Sequence, residues 1–306
     1  SGQLDPAPLI SRRVPFSNAE AVYATLTTQK NLLGLVLEYP AVQAEYSRTV
    51  RLRESTPALP SHPTLAVLGA GNFASGVLIP AFVKAGAKLE AIASSGGHSA
   101  RHLADKYGFA TATSDTAALL ASPSINTVVV TTPHSSHAPL TAAALEAGKH
   151  VFVEKPLAID REGLEQVEAA YAAAQTEDQG PLLMVGFNRR FAPLVQHAKQ
   201  LVAGSAGPLA LIYTVNAGAI PATHWVQDPE VGGGRIVGEA CHFVDLLRFL
   251  VGRRIERAEI TYADTETRDV ATILLRFEDG SLGTVHYLAN GHKAFPKERI
   301  EIFGDG

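Results

Sequence analysis

Residues 64–76, TLAVLGAGNFASG, constrain the fold more than any other part of this chain. The apolar run 65–68 has no polar alternation, which is typical of a strand buried on both faces of a parallel sheet. Gly69 and Gly71 then form a turn without side chains, where the phosphates of a ligand can approach the backbone. Ala74 stands where the dinucleotide-binding pattern G-x-G-x-x-G has its third glycine, a position at which alanine is also found.

The residues after this turn decide between a binding site and an ordinary tight strand-to-helix turn. Residues 73–83 have helical spacing, so the free amides of a helix N-terminus and the helix dipole would face a pyrophosphate. A second strand near residues 88–93 completes the strand–helix–strand context in which the pattern is informative. We therefore predict a dinucleotide site, and the residues expected to contact the cofactor here are Gly69, Gly71, Asn72, Phe73 and Ala74.

Strands and helices continue to alternate at short spacing up to residue 187, which indicates a parallel α/β sheet. The further predicted strands are 89–93, 127–131, 150–153 and 182–186, and the further predicted helices are 99–107, 115–121, 139–147 and 161–175. Gly108 and Gly148 are expected to cap two helices in the left-handed conformation, and Asp160 is expected to be a helix N-cap.

The pattern changes beyond residue 190. We predict a helix at 192–202, a strand at 209–216, a glycine-rich loop, a helix at 239–250 and three successive strands; residues 278–281 form a hairpin signal within them. The predicted fold class is α/β, with a Rossmann dinucleotide-binding domain at 63–187 followed by an α+β domain with a mainly antiparallel sheet at 188–306. Because the sequence stops just after a strand, we expect this second domain to be truncated at its C-terminus.

Composition excludes several classes of partner. The net charge of −4 among 306 residues gives no reason to expect nucleic acid or an anionic membrane surface. No apolar run approaches the roughly 20 residues that a transmembrane helix needs. Cys241 is the single cysteine, so an internal disulfide is excluded and a cytoplasmic location is expected. The first residues carry no visible secretory signal and no initiator methionine, so we expect a processed chain or a piece of a longer one.

Residues 1–62 form an N-terminal segment and linker with too few apolar positions for a core of their own. A helix-like piece at 19–26 and a strand-like piece at 32–37 precede a linker rich in proline and serine at 51–63. The run SRRVPFSNAEAVYATLTTQKNLLGLVLEYP resembles the C-terminal end of zinc-type medium-chain alcohol dehydrogenases, although it carries none of their zinc ligands. This resemblance implies the rear part of a fused, two-enzyme polypeptide.

Two further stretches resemble one family. Residues 131–158, TTPHSSHAPLTAAALEAGKHVFVEKPLA, are similar to a signature run of the glucose–fructose oxidoreductase / inositol dehydrogenase (Gfo/Idh/MocA) family. Residues 232–250, GGGRIVGEACHFVDLLRFL, resemble that family's substrate-domain motif, in which a triple glycine precedes an Asp and, four residues later, a His. His242 and a following Asp245 match this motif. His134 replaces the usual Asn of the first run, and Gly238 stands at the position of the Asp.

The resemblance implies a dehydrogenase that needs a proton acceptor and a cation near the developing alkoxide. Lys155, expected in a cis Glu–Lys–Pro turn at the carboxyl edge of the sheet, is the predicted cation, although an isolated lysine is usually solvated. His242 is the predicted base, although a histidine on such a helix is more often a packed residue. Glu239, one helical turn earlier, is expected to orient the imidazole or bind a substrate hydroxyl. Further predicted cofactor contacts are Thr132, Pro133, His134, His137, Glu154 and Lys155. A metal at His134 and His137 is not expected.

Cofactor and substrate are less closely determined. Ser94, Ser95 and the following glycines stand where NAD enzymes usually carry an acid, and Arg101 is near, which slightly favours NADP over NAD; the open alternative is that Ser95 bonds the NAD ribose. The resemblance implies a sugar, polyol or related substrate, for which the loop 224–235 offers contacts, and a homo-oligomer formed through the C-terminal sheet. The alternative function is a non-catalytic sensor or scaffold domain of a fused alcohol dehydrogenase.

Overall fold

The computed structural model describes residues 5–26, 32–39, 47–59, 61–176 and 180–305. The chain divides into two compact units, residues 1–47 and 48–306. None of the helices within the described ranges is long and apolar enough to cross a membrane.

The first unit contains one strand–helix–strand motif. Strand β1 (Arg12–Pro15) and strand β2 (Leu35–Glu38) pair in parallel, and helix α1 (Ala19–Thr25) connects them. The helix lies where the sequence predicts one, whereas the predicted strand at 32–37 begins three residues later. Among the residues of this unit that the structure describes, Val14 and Val22 are the buried apolar side chains. Residues 27–31 and residue 40 of the stretch that resembles alcohol dehydrogenases lie outside the described part of the chain.

The second unit begins with a seven-stranded sheet in the order β3-β6-β5-β4-β7-β8-β9. Its strands are β3 (Thr49–Arg51), β4 (Thr64–Leu68), β5 (Lys88–Ala93), β6 (Thr111–Thr113), β7 (Thr127–Val130), β8 (His150–Val153) and β9 (Leu183–Val185). All neighbours are parallel except β3, which runs antiparallel to β6. The strand order reverses between β4 and β7, and ligands of doubly wound sheets bind at the carboxyl ends of the strands at such a point.

Helices cover both faces of this sheet. They are α2 (Ile79–Lys84), α3 (His98–Tyr107), α4 (Thr116–Leu120), α5 (His137–Glu146) and α6 (Arg161–Ala174). Gly108 and Gly148 have positive φ angles of 80° and 68°, and the Asp160 side chain accepts from the amide of Gly163, as the sequence predicts. A π-helical turn, Ala74–Leu78, precedes α2.

Two strands of this sheet are absent from the sequence-based prediction. Strand β6 has three residues, too few to show a period, and β3 lies at the edge of the segment interpreted as a linker. The Oγ1 atoms of Thr49 and Thr113 are 2.7 Å apart across the pair. Pairing with a strand more than sixty residues away, rather than a local pattern, therefore makes residues 49–51 a strand.

The rest of the unit is a five-stranded sheet covered on one face by helices. Its strands, in the order β11-β12-β13-β10-β14, are β10 (Ala210–Asn216), β11 (Ile255–Tyr262), β12 (Val270–Phe277), β13 (Leu282–Leu288) and β14 (Glu298–Phe303). Only β10 and β13 pair in parallel, which confirms the predicted α+β domain with a mainly antiparallel sheet and the hairpin at 278–281. Four strands, β11 to β14, rather than the predicted three, follow the helix that begins at Cys241.

Helices α7 (Pro193–Val202) and α8 (Cys241–Val251) pack on the inner face of this sheet. Leu246, Leu247 and Leu250 of α8 are at most 2% exposed and pack among the inward side chains of β10, β12 and β13. A π-helical turn, Ile236–Ala240, precedes α8. This burial orients α8 and leaves its N-terminal end to carry the polar residues of the site.

Candidate active site

The glycine turn after β4 has the shape that a phosphate needs. Gly69 has a φ of +107°, and a Cβ there would lie 2.7 Å from the backbone of Thr131 on the neighbouring loop. A Cβ on Gly71 would meet nothing within 4 Å, so this residue faces open space at the start of the helix. Ala74 is 1% exposed and packs in the core, as its small side chain allows. The residues present therefore fit the pyrophosphate of a dinucleotide.

Replacing Gly71 by leucine should abolish cofactor binding while the fold stays intact. The new side chain would enter space that is empty in the protein but is the approach path for a pyrophosphate. Cofactor titration by fluorescence and thermal unfolding measure the two effects separately. Gly76→Leu is the matched control, because Gly76 lies in the helical turn that follows and also faces open space. Unchanged cofactor affinity in Gly71→Leu would contradict the phosphate site.

The end of strand β5 carries hydroxyls and no acid. The Oγ of Ser94 accepts a hydrogen bond from the amide of Ala100 at 3.2 Å, so this side chain holds the start of α3. Ser95 is exposed, and Arg101 forms an exposed ion pair with Asp105 at 2.8 Å. Of the two predicted serines, Ser95 is therefore the one with a side chain left for a ligand.

The loop after β7 places its two histidines in different surroundings. His137 is 1% exposed, and its Nδ1 and Nε2 lie 2.7 and 2.8 Å from the carbonyl oxygens of Pro156 and Thr132. It thus connects this loop to the Lys155–Pro156 turn beneath the ligand surface, which is a positioning role. His134 instead contacts the second domain: its Nδ1 lies 2.8 Å from the carbonyl oxygen of Gly232.

The Glu154–Lys155–Pro156 turn follows β8 directly. The peptide bond between Lys155 and Pro156 is cis, as the resemblance implies. The ammonium of Lys155 donates to the carbonyl oxygen of Gly238 at 2.9 Å and so joins the two domains. Burial raises the pKa of Glu154, and a Cβ on Gly186 would lie 2.6 Å from its carboxylate. The absence of a side chain at Gly186 therefore makes room for Glu154.

His242 occupies the N-terminal end of α8 and is 9% exposed. Its Nδ1 is buried, and no described group forms a hydrogen bond with it, so Nε2 is the nitrogen that a substrate can reach. Burial, followed by the positive charges of Lys155 and Arg189, lowers the pKa of His242 to about 3. The imidazole is therefore neutral at physiological pH, the form that accepts a proton.

Glu239 is held in place by two partners. Its carboxylate accepts from the guanidinium of Arg235 at 3.1 and 3.3 Å and from the hydroxyl of Tyr287. Burial alone would raise the pKa of Glu239, but these hydrogen bonds outweigh burial and lower it. Arg235, 3% exposed, also lies 3.5 Å from the carboxylate of Asp269. Glu239 therefore remains ionised and fixed in position.

Two adjacent arginines after β9 were not among the predicted site residues. Arg189 donates to Glu298 on β14 at 2.6 and 3.2 Å, and Glu298 also accepts from the hydroxyl of Tyr213 at 2.6 Å. Arg190 forms a bidentate ion pair with Asp245. The Asp245 carboxylate therefore fastens α8 to the segment after β9 and does not line either cavity. Arg189 follows a strand at the ligand-binding edge of the sheet, which is the one sequence signal that could have identified it.

Lys155 and His242 line two adjoining cavities. A cavity of about 340 Å³ lies on the side of the glycine turn and is otherwise lined by Phe73, Thr131, Thr132, His134, His137, Glu154, Asn188 and Trp225. A second cavity, of about 420 Å³, lies against the antiparallel sheet and is otherwise lined by Arg189, Val215, Ala217, Arg235, Glu239, Phe243 and Lys297. The structure thus brings the predicted catalytic residues together, while Ser94 and Ala74 support the fold around them. No group of three or more potential metal ligands occurs among the described residues.

Known proteins resemble this chain across both domains of the second unit. D-xylose 1-dehydrogenase (NADP(+)) 2 of Haloferax volcanii is 31% identical over 224 residues, which cover 72% of this chain and 67% of that protein. Myo-inositol 2-dehydrogenase of Thermotoga maritima is 28% identical, with 67% of this chain and 61% of that protein covered. A solved structure of levoglucosan dehydrogenase with NADH and levoglucosan has a TM-score of 0.68 at 26% identity, covering 80% of this chain and 71% of that one.

Family models match most of the chain. Residues 64–187 match the model of the GFO/IDH/MocA oxidoreductase family, NAD-binding Rossmann fold, and residues 195–306 match the GFO/IDH/MocA C-terminal domain. The first region contributes the carboxyl edge of the parallel sheet to one cavity, and the second contributes the inner face of the antiparallel sheet to the other. The chain belongs to the Gfo/Idh/MocA oxidoreductase family.

Proposed function

We propose that this chain carries the active site of an NAD(P)-dependent oxidoreductase that transfers a hydride between nicotinamide and a secondary hydroxyl or carbonyl of a sugar, polyol or related compound. The observation that carries the proposal is that Lys155 and His242 line both cavities. A substrate and a dinucleotide bound on either side would therefore meet at these two side chains. The names of the relatives, dehydrogenases of xylose, inositol and levoglucosan, support the substrate class.

The chain's own residues suit the dinucleotide. Gly69 makes the tight turn against Thr131, Gly71 leaves room for the pyrophosphate, and Thr132 and Glu154 stand along the adjoining loops. When bound, the nicotinamide would accept or return the hydride. We assign residues 63–187 to cofactor binding and 188–306 to substrate binding.

Proton movement is assigned to His242. Its neutral Nε2 takes the hydroxyl proton during alcohol oxidation, while the ammonium of Lys155 stabilises the developing alkoxide. Lys155 is kept in place by the carbonyl oxygen of Gly238. Glu239, fixed by Arg235 and Tyr287, offers an ionised acceptor for a second substrate hydroxyl.

The proposal is tested by fluorescence titration with NADPH and NADH, followed by turnover assays with D-xylose, myo-inositol and levoglucosan. Binding of at least one reduced cofactor is expected, and at least one of these compounds should reduce the corresponding oxidised form, NADP+ or NAD+. If the protein bound neither NADPH nor NADH, the assignment would be overturned. The alternative is a non-catalytic sensor or scaffold, which the departure at Gly238 leaves open. It would be favoured if the protein bound a cofactor without turnover and if removal of Lys155 and His242 changed none of its measured properties.

We further propose that NADPH binds at least as well as NADH, and Ser95→Asp tests this. The Ser95 side chain is exposed, and residues 93–98 around it in the sequence include no acid that would repel a 2′-phosphate. A new carboxylate should weaken NADPH binding by about tenfold or more and leave NADH at least as tight, since an acid at this position holds the ribose hydroxyls. Ser55→Asp is the control, because it adds the same charge at an exposed position that follows β3, which runs antiparallel to β6. A parent protein that ignores NADPH would refute the preference without affecting the family.

Assembly and chain context extend the proposal. The outer face of the antiparallel sheet carries exposed apolar side chains, among them Ile212, Leu274 and Leu282, which supports a homo-oligomer formed through that sheet. The β1–α1–β2 motif supports the interpretation of the first unit as the end of an alcohol-dehydrogenase-like domain in a fused chain. The cytoplasmic location stays a prediction.

A further inference from the structure

The two positions at which this chain departs from the family motifs are in direct contact. A Cβ built on Gly238 would lie 2.8 Å from Cε1 and 3.1 Å from Nδ1 of His134. A distance of 2.8 Å is shorter than carbon atoms tolerate, so the His134 ring occupies the space that a side chain at 238 would need. These positions are more than one hundred residues apart and belong to different domains.

His134 cannot move away without breaking its other contacts. Its Nδ1 lies 2.8 Å from the carbonyl oxygen of Gly232, and its ring meets the edge of Trp225 at a centroid distance of 4.7 Å. Gly238 is also constrained, because its carbonyl oxygen accepts from Lys155 at 2.9 Å. A side chain at 238 would therefore displace either the imidazole or the helix turn that positions Lys155.

The hydrogen bond to Gly232 determines the tautomer of His134. A carbonyl oxygen only accepts, so Nδ1 carries the proton and Nε2 of the neutral ring is an acceptor. Burial is the main cause that lowers the pKa of His134, to about 4, which keeps the ring neutral at physiological pH. No described protein group forms a hydrogen bond with Nε2, and the residue lines the same cavity as Lys155 and His242.

We propose that His134 and Gly238 form one specificity-determining pair, in which Nε2 of His134 offers an uncharged acceptor for a substrate hydroxyl in place of the charged acceptor that an acidic side chain at 238 would provide. The inference rests on the proposed function. It predicts a preference for substrates whose hydroxyl group donates a hydrogen bond to this nitrogen. It also predicts that a side chain at position 238 is tolerated only when the side chain at position 134 is small.

The test compares four proteins: the parent, His134→Ala, Gly238→Ala and the double variant. Gly238→Ala should lower Tm by roughly 2 to 10 °C, since overpacking is destabilising, and the double variant should recover at least half of this loss. Gly76→Ala, at a helical glycine in open space, is the control and should keep or slightly raise the parent Tm. The substrate is whichever of D-xylose, myo-inositol or levoglucosan the parent oxidises. His134→Ala should raise the KM for that compound by about tenfold, with a much smaller effect on kcat.

The outcomes separate this inference from the proposed function. A Gly238→Ala protein as stable as the parent, or losses that simply add in the double variant, would overturn the coupling. An unchanged KM in His134→Ala would overturn the role of Nε2, and it decides this even if Gly238→Ala does not fold. Absence of turnover and of binding to both NADPH and NADH in the parent would overturn the proposed function, whereas the Tm comparison would still decide the contact.

Discussion

Replacing Lys155 by alanine is expected to reduce kcat by about a hundredfold or more, the scale of charge stabilisation in a water-poor site. The ammonium lies between the two cavities and is held by the carbonyl oxygen of Gly238 at 2.9 Å. Burial is the largest cause of the lowered pKa of His242, and the positive charge of Lys155 is the second. The imidazole of His242 should therefore titrate at a higher pH in the variant, which NMR of labelled histidine would measure.

Lys149→Ala is the matched control for this experiment. The Lys149 ammonium is also partly buried and donates to the carbonyl oxygens of Ser122 and Ile125 at 2.9 and 2.8 Å, at the amino end of the same strand. Its removal should reduce stability and leave kcat and the pKa of His242 unchanged. If Lys155→Ala resembled this control in both measurements, Lys155 would be a structural lysine and the proposed electrostatic role would be wrong.

His242→Ala is expected to lower kcat for alcohol oxidation by about a hundredfold or more through loss of the proton acceptor. In the parent, the pKa of His242 is lowered to about 3 by burial and then by Lys155 and Arg189. A lowered pKa moves protonation to lower pH, so the neutral base persists on the acidic side of the ordinary histidine range. Since kcat/KM reports the free enzyme, its acidic limb should lie well below pH 6.5 in the parent.

The pH profile gives this prediction an independent readout. His197→Ala, which removes an exposed histidine of α7, should change neither kcat nor the profile. A limb near pH 6.5 that disappears in His242→Ala would show an imidazole with an ordinary pKa. Activity retained in His242→Ala at every pH would remove His242 from the mechanism.

Local patterns were sufficient for the elements that hold the cofactor side of the site. The apolar run before Gly69 specifies a buried strand, and the positive φ of Gly69 beside Thr131 explains why the turn needs glycine. The same kind of reasoning predicts the caps at Gly108 and Asp160, because each depends on a hydrogen bond or dihedral angle within one turn of its own helix. Strand β6, by contrast, is too short to show a pattern, and β3 exists because it pairs with β6.

The sequence by itself determined the family motifs, the order of the two domains, and Lys155, His242 and Glu239 as the candidate catalytic residues. Only the tertiary structure decided how they act, because their partners come from distant segments: Gly238 for Lys155, Tyr287 for Glu239, and Trp225 and Gly232 for His134. In the sequence, His134 and Gly238 are two separate departures from a motif. In the fold they are one contact, since the close packing of a protein interior lets only one of them have a large side chain.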